Sequence, residues 1–268
     1  MIEIKNLSIA YGENLVVDNV SFCGKQGEII GIVGESGSGK STMLKSILGL
    51  LGKNGRIVSG EILCNGENLA CASKKRMSRI RGGEVGMIFQ HPELSLDPLC
   101  TIGASFYESI RVHRPITKKE ARQQGRELLE ALKFQDPEVV LDAYPFELSG
   151  GMCQRAAAAI AIANRPGILL ADEPTSALDV TVQKQVIDTL LDLRDTFHTT
   201  MILVSHNMGV IAAMADQVGV MRKGKMVEWG EKEQVLHHPE HPYTKALIGA
   251  IPKMDGKLPE VMEEISYV

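Results

Sequence analysis

The run Gly34-Glu35-Ser36-Gly37-Ser38-Gly39-Lys40-Ser41 fits the pattern G-x-x-x-x-G-K-[ST]. Its glycines permit a loop whose backbone N–H groups converge on phosphate oxygens. Lys40 puts a full positive charge beside the β and γ phosphates of a nucleotide, and the Ser41 hydroxyl is a ligand for Mg2+. A helix opening at Thr42 adds its N-terminal partial charge at the same point. The competing reading is a glycine-rich turn with a chance Lys-Ser. The apolar run Ile29–Val33 before the loop and the helical pattern after it set that reading aside.

Two acids follow a second apolar run. Ile168–Ala171 ends in Asp172-Glu173, and ligands of open α/β sheets bind at the carboxyl ends of strands. Asp172 is placed to hold Mg2+, directly or through water. Glu173 is placed to orient and deprotonate a water for in-line attack on the γ-phosphate. Taken alone, acids at a strand end are a weak signal, and the upstream phosphate loop gives them meaning. His206 follows the run Met201–Ser205 in the same way, which points to a γ-phosphate contact.

These residues need an α/β scaffold. Four runs are nearly all apolar: Ile29–Val33, Val85–Phe89, Ile168–Ala171 and Met201–Val204. Such strands are buried on both faces, as in a parallel sheet flanked by helices. Met1–Ala10, Val16–Phe22 and Gly60–Gly66 alternate instead, as half-buried antiparallel strands. Helical patterns cover Lys40–Leu51, Lys118–Leu132, Gly151–Asn164, Val180–Thr196 and Met208–Met214. Residues 91–154 are mostly helical and read as a subdomain inserted into a nucleotide-binding domain of residues 1–230. Residues 231–268 are polar, bear His and Pro, and read as a C-terminal extension.

Composition narrows the class. With 268 residues, 44% hydrophobic and 23% charged, the chain can build a sizeable core. A net charge of -4 gives no electrostatic reason to expect nucleic acid. Cys23, Cys64, Cys71, Cys100 and Cys153 form no C-x-x-C pair and read as reduced cytosolic thiols. The N-terminus lacks the pattern of a secretion signal. The most apolar stretch, Ala156–Ala163, is far short of the ~20 residues of a membrane span, so a membrane role needs a partner.

In this setting Leu148-Ser149-Gly150-Gly151, followed by Met152-Cys153-Gln154-Arg155, resembles the signature segment of ABC ATPases. Over about residues 1–250 the other motifs stand in that family's order: Tyr11, Gly34–Ser41, Gln90, Ser149–Gly151, Asp172-Glu173, Ser176-Ala177-Leu178-Asp179, then His206. The signature's usual Gln after the glycines is Met152 here, while Ser149, Gly150 and Gly151 are intact. The resemblance implies a P-loop NTPase (RecA-like) core with an antiparallel β subdomain and an inserted helical subdomain, and ATP and Mg2+ as cofactors. It implies adenine stacking by Tyr11 and nucleotide contacts by Gly34, Glu35, Ser36, Gly37, Ser38, Gly39, Lys40, Ser41, Thr42 and Asp179. It makes Glu173, His206 and Gln90 catalytic, with Gln90 joining Ser41 and Asp172 at Mg2+. It also implies a head-to-tail pair of subunits, each ATP clamped between Gly34–Ser41 of one and Ser149–Gly151 of the other.

The C-terminal run His237-His238-Pro239-Glu240-His241-Pro242-Tyr243 resembles the end of ATPases serving oligopeptide, dipeptide and nickel importers. So do Gln90 with Pro92, the run Leu96–Leu99, Tyr144–Glu147 and Ser205–Met208. Tyr144–Glu147 together with Met152 is most similar to subunits for nickel or metallophore uptake. This resemblance implies a second, non-identical ATPase, two integral membrane permease subunits and an external or periplasmic substrate-binding protein, with the chain on the cytoplasmic face of the membrane. A soluble, non-transport ABC ATPase is the other reading. The histidines of 237–241 read as a structural turn rather than a metal site.

Overall fold

The computed structural model describes residues 1–91, 95–176 and 178–250. Pro92, Ala177 and the tail from Ile251, each named above or part of the extension, lie outside the described residues.

Two sheets share the chain. Ile2–Tyr11 (β1) pairs antiparallel with Asn14–Gly24 (β2). The chain then enters Ile29–Val33 (β3) and the helix Lys40–Ile47 (α1) before returning as Gly55–Cys64 (β4) beside β1. The two-residue strand Glu67–Asn68 (β5) closes the order β2-β1-β4-β5. After helix Lys74–Ile80 (α2) comes Val85–Ile88 (β6). Four helices follow: Ile102–Arg111 (α3), Lys118–Ala131 (α4), Pro137–Asp142 (α5) and Gly150–Ala161 (α6). Then come Ile168–Asp172 (β7), Val180–Phe197 (α7), Thr200–Ser205 (β8), Met208–Met214 (α8), Gln217–Arg222 (β9) and Lys225–Glu231 (β10). The larger sheet runs β10-β9-β3-β8-β7-β6, parallel except at the β9–β10 hairpin.

The apolar runs explain the layering. In β3, Ile29 and Val33 enter one apolar core and Ile30 and Ile32 the other. Strands β7 and β8 divide the same way, with Leu169, Ala171, Met201 and Leu203 on one side and Ile168, Leu170, Ile202 and Val204 on the other. Side chains alternate across a strand, so a continuous apolar run is the signature of a sheet buried on both faces. The helices α3–α6 share the first core through Ile102, Phe106, Leu129, Leu141 and Ala156. The antiparallel sheet and α1 share the second. Gln154, where the sequence reading closes the insertion, lies within α6.

Some elements depart from the sequence reading. The helix after the phosphate loop ends at Ile47 rather than Leu51, because Gly49 turns left-handed at φ +62°. The sequence reading has no strand at β9 or β10: Gly219 interrupts a short apolar run, and the space a Cβ would take there is filled by the Met226 side chain, 2.7 Å away at its sulfur. The extension carries two short helices, Lys232–His237 (α9) and Pro242–Gly249 (α10). Among the described residues no helix is long and apolar enough to cross a membrane.

Candidate functional site

Strand register fixes the site. Val33 is level with Ser205, and Asp172 with Val204. The carboxyl ends of β3, β7 and β8 therefore finish along one edge, where the phosphate loop, Glu173 and His206 emerge. Ile88 pairs with Ala171, so Gln90 leaves the next strand at the same edge, exposed to solvent.

The phosphate loop is built around glycine. Gly39 sits at φ +101°, and a Cβ on it would lie 2.7 Å from the Val16 carbonyl oxygen. A Cβ on Gly34 would fall 2.1 Å from the Met221 carbonyl oxygen. Neither position admits a side chain without moving backbone. The hairpin turn after β9 braces the same loop: the Gly224 N–H donates to the Ser38 carbonyl at 3.1 Å, and the Asp18 N–H to the Gly224 carbonyl at 2.8 Å. Most other helices are capped by a side chain, among them Ser73, Thr101, Thr117, Asp136, Asp179 and Asn207. α1 is entered through Gly39 and has no side-chain cap. Its first N–H groups are thus left for a ligand, and an anion suits them.

Lys40 is 4% exposed. Its Nζ donates to the carbonyl oxygens of Gly34 at 2.7 Å and Glu35 at 2.8 Å. Burial lowers its pKa, opposed by the charges of Glu173, Asp172 and Glu35. The ammonium is folded onto its own loop, in a cluster of carboxylates.

Ser41 donates from its hydroxyl to Asp172 Oδ1 at 2.6 Å. These hard oxygens fit Mg2+, which takes a few protein oxygens and completes its shell with phosphate and water. Among the described residues no group of three or more His, Cys, Asp or Glu could hold a metal by itself. A shared site with a nucleotide is the arrangement the donor set suits.

Glu173 is 9% exposed and stands at φ +50°. A non-glycine residue in that region is strained by about 1–3 kcal/mol and persists only where the surroundings hold it. Here its N–H donates to the Val204 carbonyl at 2.9 Å, the Ser176 N–H donates to its carbonyl at 3.1 Å, and its carboxylate Oε2 bonds His206 Nδ1. His206 is fixed in turn between β8 and the cap of α8, where Asn207 Oδ1 accepts the Gly209 N–H at 2.8 Å.

Lys40, Ser41, Asp172, Glu173 and His206 are thus drawn into one cluster. Thr42 is the third residue of α1, beside them. Glu35, Ser36 and Gly37 form the exposed outer arm of the loop. Tyr11 ends β1 on the neighbouring sheet, half-buried, with its ring against Gly55. Asp179 caps α7, its Oδ1 accepting the N–H groups of Thr181 and Val182, both at 3.0 Å. Ser149–Gly151 stand elsewhere. Ser149 and Gly150 are exposed at the start of α6, and Ser149 caps that helix by accepting the Met152 N–H. The hydrogen bonds of these residues do not reach the Lys40 cluster. His241 caps α10, its Nδ1 accepting the Tyr243 N–H at 3.1 Å, in keeping with a turn. Sequence reasoning missed Gly224, and it gave no reason to place Tyr243 at the loop, where its hydroxyl accepts the Glu35 N–H at 3.1 Å. The His-Pro-Tyr run was visible, but nothing in one sequence ties residue 243 to residue 35.

Comparison with known proteins identifies the family and the fold. Residues 17–176 match the family described as "ABC transporter", and residues 227–266 the one described as "Oligopeptide/dipeptide transporter, C-terminal region". The chain is 42% identical over 257 residues to the dipeptide transport ATP-binding protein DppD of Escherichia coli (strain K12), covering 94% of this chain and 79% of that protein. It is 45% identical over 230 residues to the oligopeptide transport ATP-binding protein AmiE of Streptococcus pneumoniae serotype 4 (strain ATCC BAA-334 / TIGR4), covering 85% and 65%. A solved structure, the dimeric post-hydrolysis state of the ATP-binding cassette MJ0796 bound to ADP and Pi, superposes with a TM-score of 0.76 at 28% identity, covering 87% of this chain and 99% of that one. The nickel or metallophore leaning of the sequence finds no support in these peptide-named relatives.

Proposed function

The chain belongs to the ABC transporter family as an ATP-binding, ATP-hydrolysing importer subunit, and we propose that its cargo is short peptides. The peptide-named relatives and the C-terminal match at residues 227–266 support the cargo. They also set aside the soluble, non-transport alternative.

One observation carries the mechanism: Lys40, Ser41, Asp172, Glu173 and His206 converge at one sheet edge beside a helix whose N-terminus has no side-chain cap. The N–H groups of Gly34–Thr42 and the Lys40 ammonium bind the triphosphate, and Tyr11 stacks on the adenine. Ser41 and Asp172, with Gln90 from beyond the end of β6, would hold Mg2+, which when bound would neutralise charge on the phosphates. Glu173 accepts a proton from the attacking water, and His206 orients that carboxylate and contacts the γ-phosphate. Ser149 and Gly150, exposed at the start of α6, with Gly151 behind them, and Asp179 contact the nucleotide across a subunit pair. That pair joins this chain to a non-identical ATPase, on the cytoplasmic face of the membrane. Residues 1–230 form the nucleotide-binding domain and 91–154 its helical insertion, which docks a membrane partner in a complex of two permease subunits and an external binding protein. Residues 231–268 form the extension.

The test is reconstitution in vesicles with the membrane subunits and binding protein. Di- and oligopeptides should stimulate ATP hydrolysis, and Lys40→Ala should abolish it. Stimulation by a nickel chelate and by no peptide would overturn the cargo assignment.

A further inference from the structure

Tyr243 is buried although it belongs to the extension. Its hydroxyl accepts the backbone N–H of Glu35 at 3.1 Å. Several contacts fix its ring and its helix. The Arg222 guanidinium lies 4.9 Å from the ring centroid. His241 caps α10 through the Tyr243 N–H. The Glu228 carboxylate on β10 accepts the N–H groups of Glu240 at 2.8 Å and His241 at 3.1 Å. The hydroxyl is therefore delivered to the loop by a braced scaffold of β9, β10 and α10.

Its target is the hinge of the nucleotide cradle. Gly34 and Glu35 supply the two carbonyls that now hold the Lys40 ammonium. When a triphosphate draws that ammonium inward, this hinge loses its inner partner, and the Tyr243 hydroxyl remains as its outer one. Burial raises the phenol's pKa, so it stays neutral through the working range.

We propose that Tyr243 is a positioning residue of the nucleotide site, holding the entrance of the phosphate loop through Glu35 and so coupling the C-terminal extension to nucleotide affinity. The proposal rests on the reading of Lys40 and its loop as the ATP site. A loop held in its bound shape loses less freedom when ligand arrives, which favours binding. Coupling of this kind is reciprocal, so nucleotide steadies α10 in return.

Tyr243→Phe in the full chain keeps the ring and its Arg222 contact and removes the hydroxyl, which accepts the Glu35 N–H and donates toward the Glu35 side chain. We expect the Kd for MgATP to rise about fivefold, the effect of one neutral hydrogen bond. In the assembled complex KM should rise by a similar factor while kcat stays within about twofold, because the hydroxyl does not face the reacting atoms. Hydrogen exchange should quicken at the Glu35 amide and not at Ile30 or Ile32, and MgATP should no longer slow exchange across Pro242–Gly249. Unchanged MgATP affinity, or unchanged Glu35 exchange, overturns the proposal. Faster exchange at Ile30 and Ile32 to the same degree makes Tyr243 a general packing residue and overturns it too. Lys40→Ala separates the two claims: if it binds MgATP as well as the parent chain, the nucleotide-site reading itself has failed.

Discussion

Replacing Glu173 by Gln tests the chemistry with the least structural disturbance. The two side chains are nearly isosteric, and an amide can still hydrogen-bond His206. Both carry the same backbone strain at φ +50°, so the thermal midpoint should not move. What disappears is a proton acceptor. A positioned general base contributes typically 10²–10⁴-fold, equivalent to about 2.7–5.4 kcal/mol of barrier. Phosphate release at saturating MgATP from the assembled complex should fall by at least about a hundredfold, while equilibrium ATP binding persists. If hydrolysis is what dissolves the proposed nucleotide-bridged pair, the variant should accumulate as a closed dimer with MgATP, visible by light scattering. Glu173 is also the acid that most raises the Lys40 pKa, so its neutralisation should lower that pKa further. Turnover within about tenfold of the parent would refute the base assignment, since no positioned base is worth so little.

Ser41→Ala removes the 2.6 Å bond to Asp172 and one oxygen from the proposed Mg2+ site. In a metal titration of hydrolysis, half-maximal Mg2+ should rise about tenfold, the loss of ~1.4 kcal/mol of ligand. The lowered Lys40 pKa gives nucleotide binding a proton signature, because phosphate charge raises the pKa back in the complex. Between the two values binding takes up protons, so affinity should fall as pH rises through the free-state pKa. Calorimetry in buffers of different ionisation enthalpy reads both. Gly151→Ala would place a Cβ 2.2 Å from Val182 Cγ1, forcing α6 away from α7. Nucleotide binding by the isolated chain should persist, while hydrolysis in the pair drops at least about tenfold, a ~1.4 kcal/mol misplacement.

The buried strands and the phosphate loop were legible because each carries its physics locally. An apolar run in β3 can only be buried on both faces, and Gly34–Ser41 has its glycines, charge and hydroxyl within one turn of chain. The acids after β7 were legible for the same reason, as the end of a run. Other features depend on pairs far apart in sequence. Gly219 weakens the pattern of β9 for the sake of Met226 packing, and Gly224 braces the loop through backbone groups that any residue possesses. Tyr243 finds Glu35 only after the sheet has folded. The left-handed conformation of Glu173 has no sequence signature, since glutamate there is held by its neighbours.

The chain between Asp172 and Val182 joins two tasks. At one end are Asp172, the proposed Mg2+ ligand, and the strained Glu173, at the other Val182, the side chain on which Gly151 packs. A Cβ on Gly150 would lie 3.7 Å from Leu178 Cδ2 in the same stretch. Asp179 lies between them and locks the start of α7 through two backbone N–H groups. A shift at Glu173 is therefore a short stretch of chain away from Val182, against which Gly151 of the Ser149–Gly151 segment is seated. If that segment clamps a partner's nucleotide, each subunit's clamp is seated on the loop that carries its own catalytic acid. Communication between the two nucleotides would then need no distant relay, since the loop that carries one nucleotide's acid packs directly against the segment proposed to grip the other.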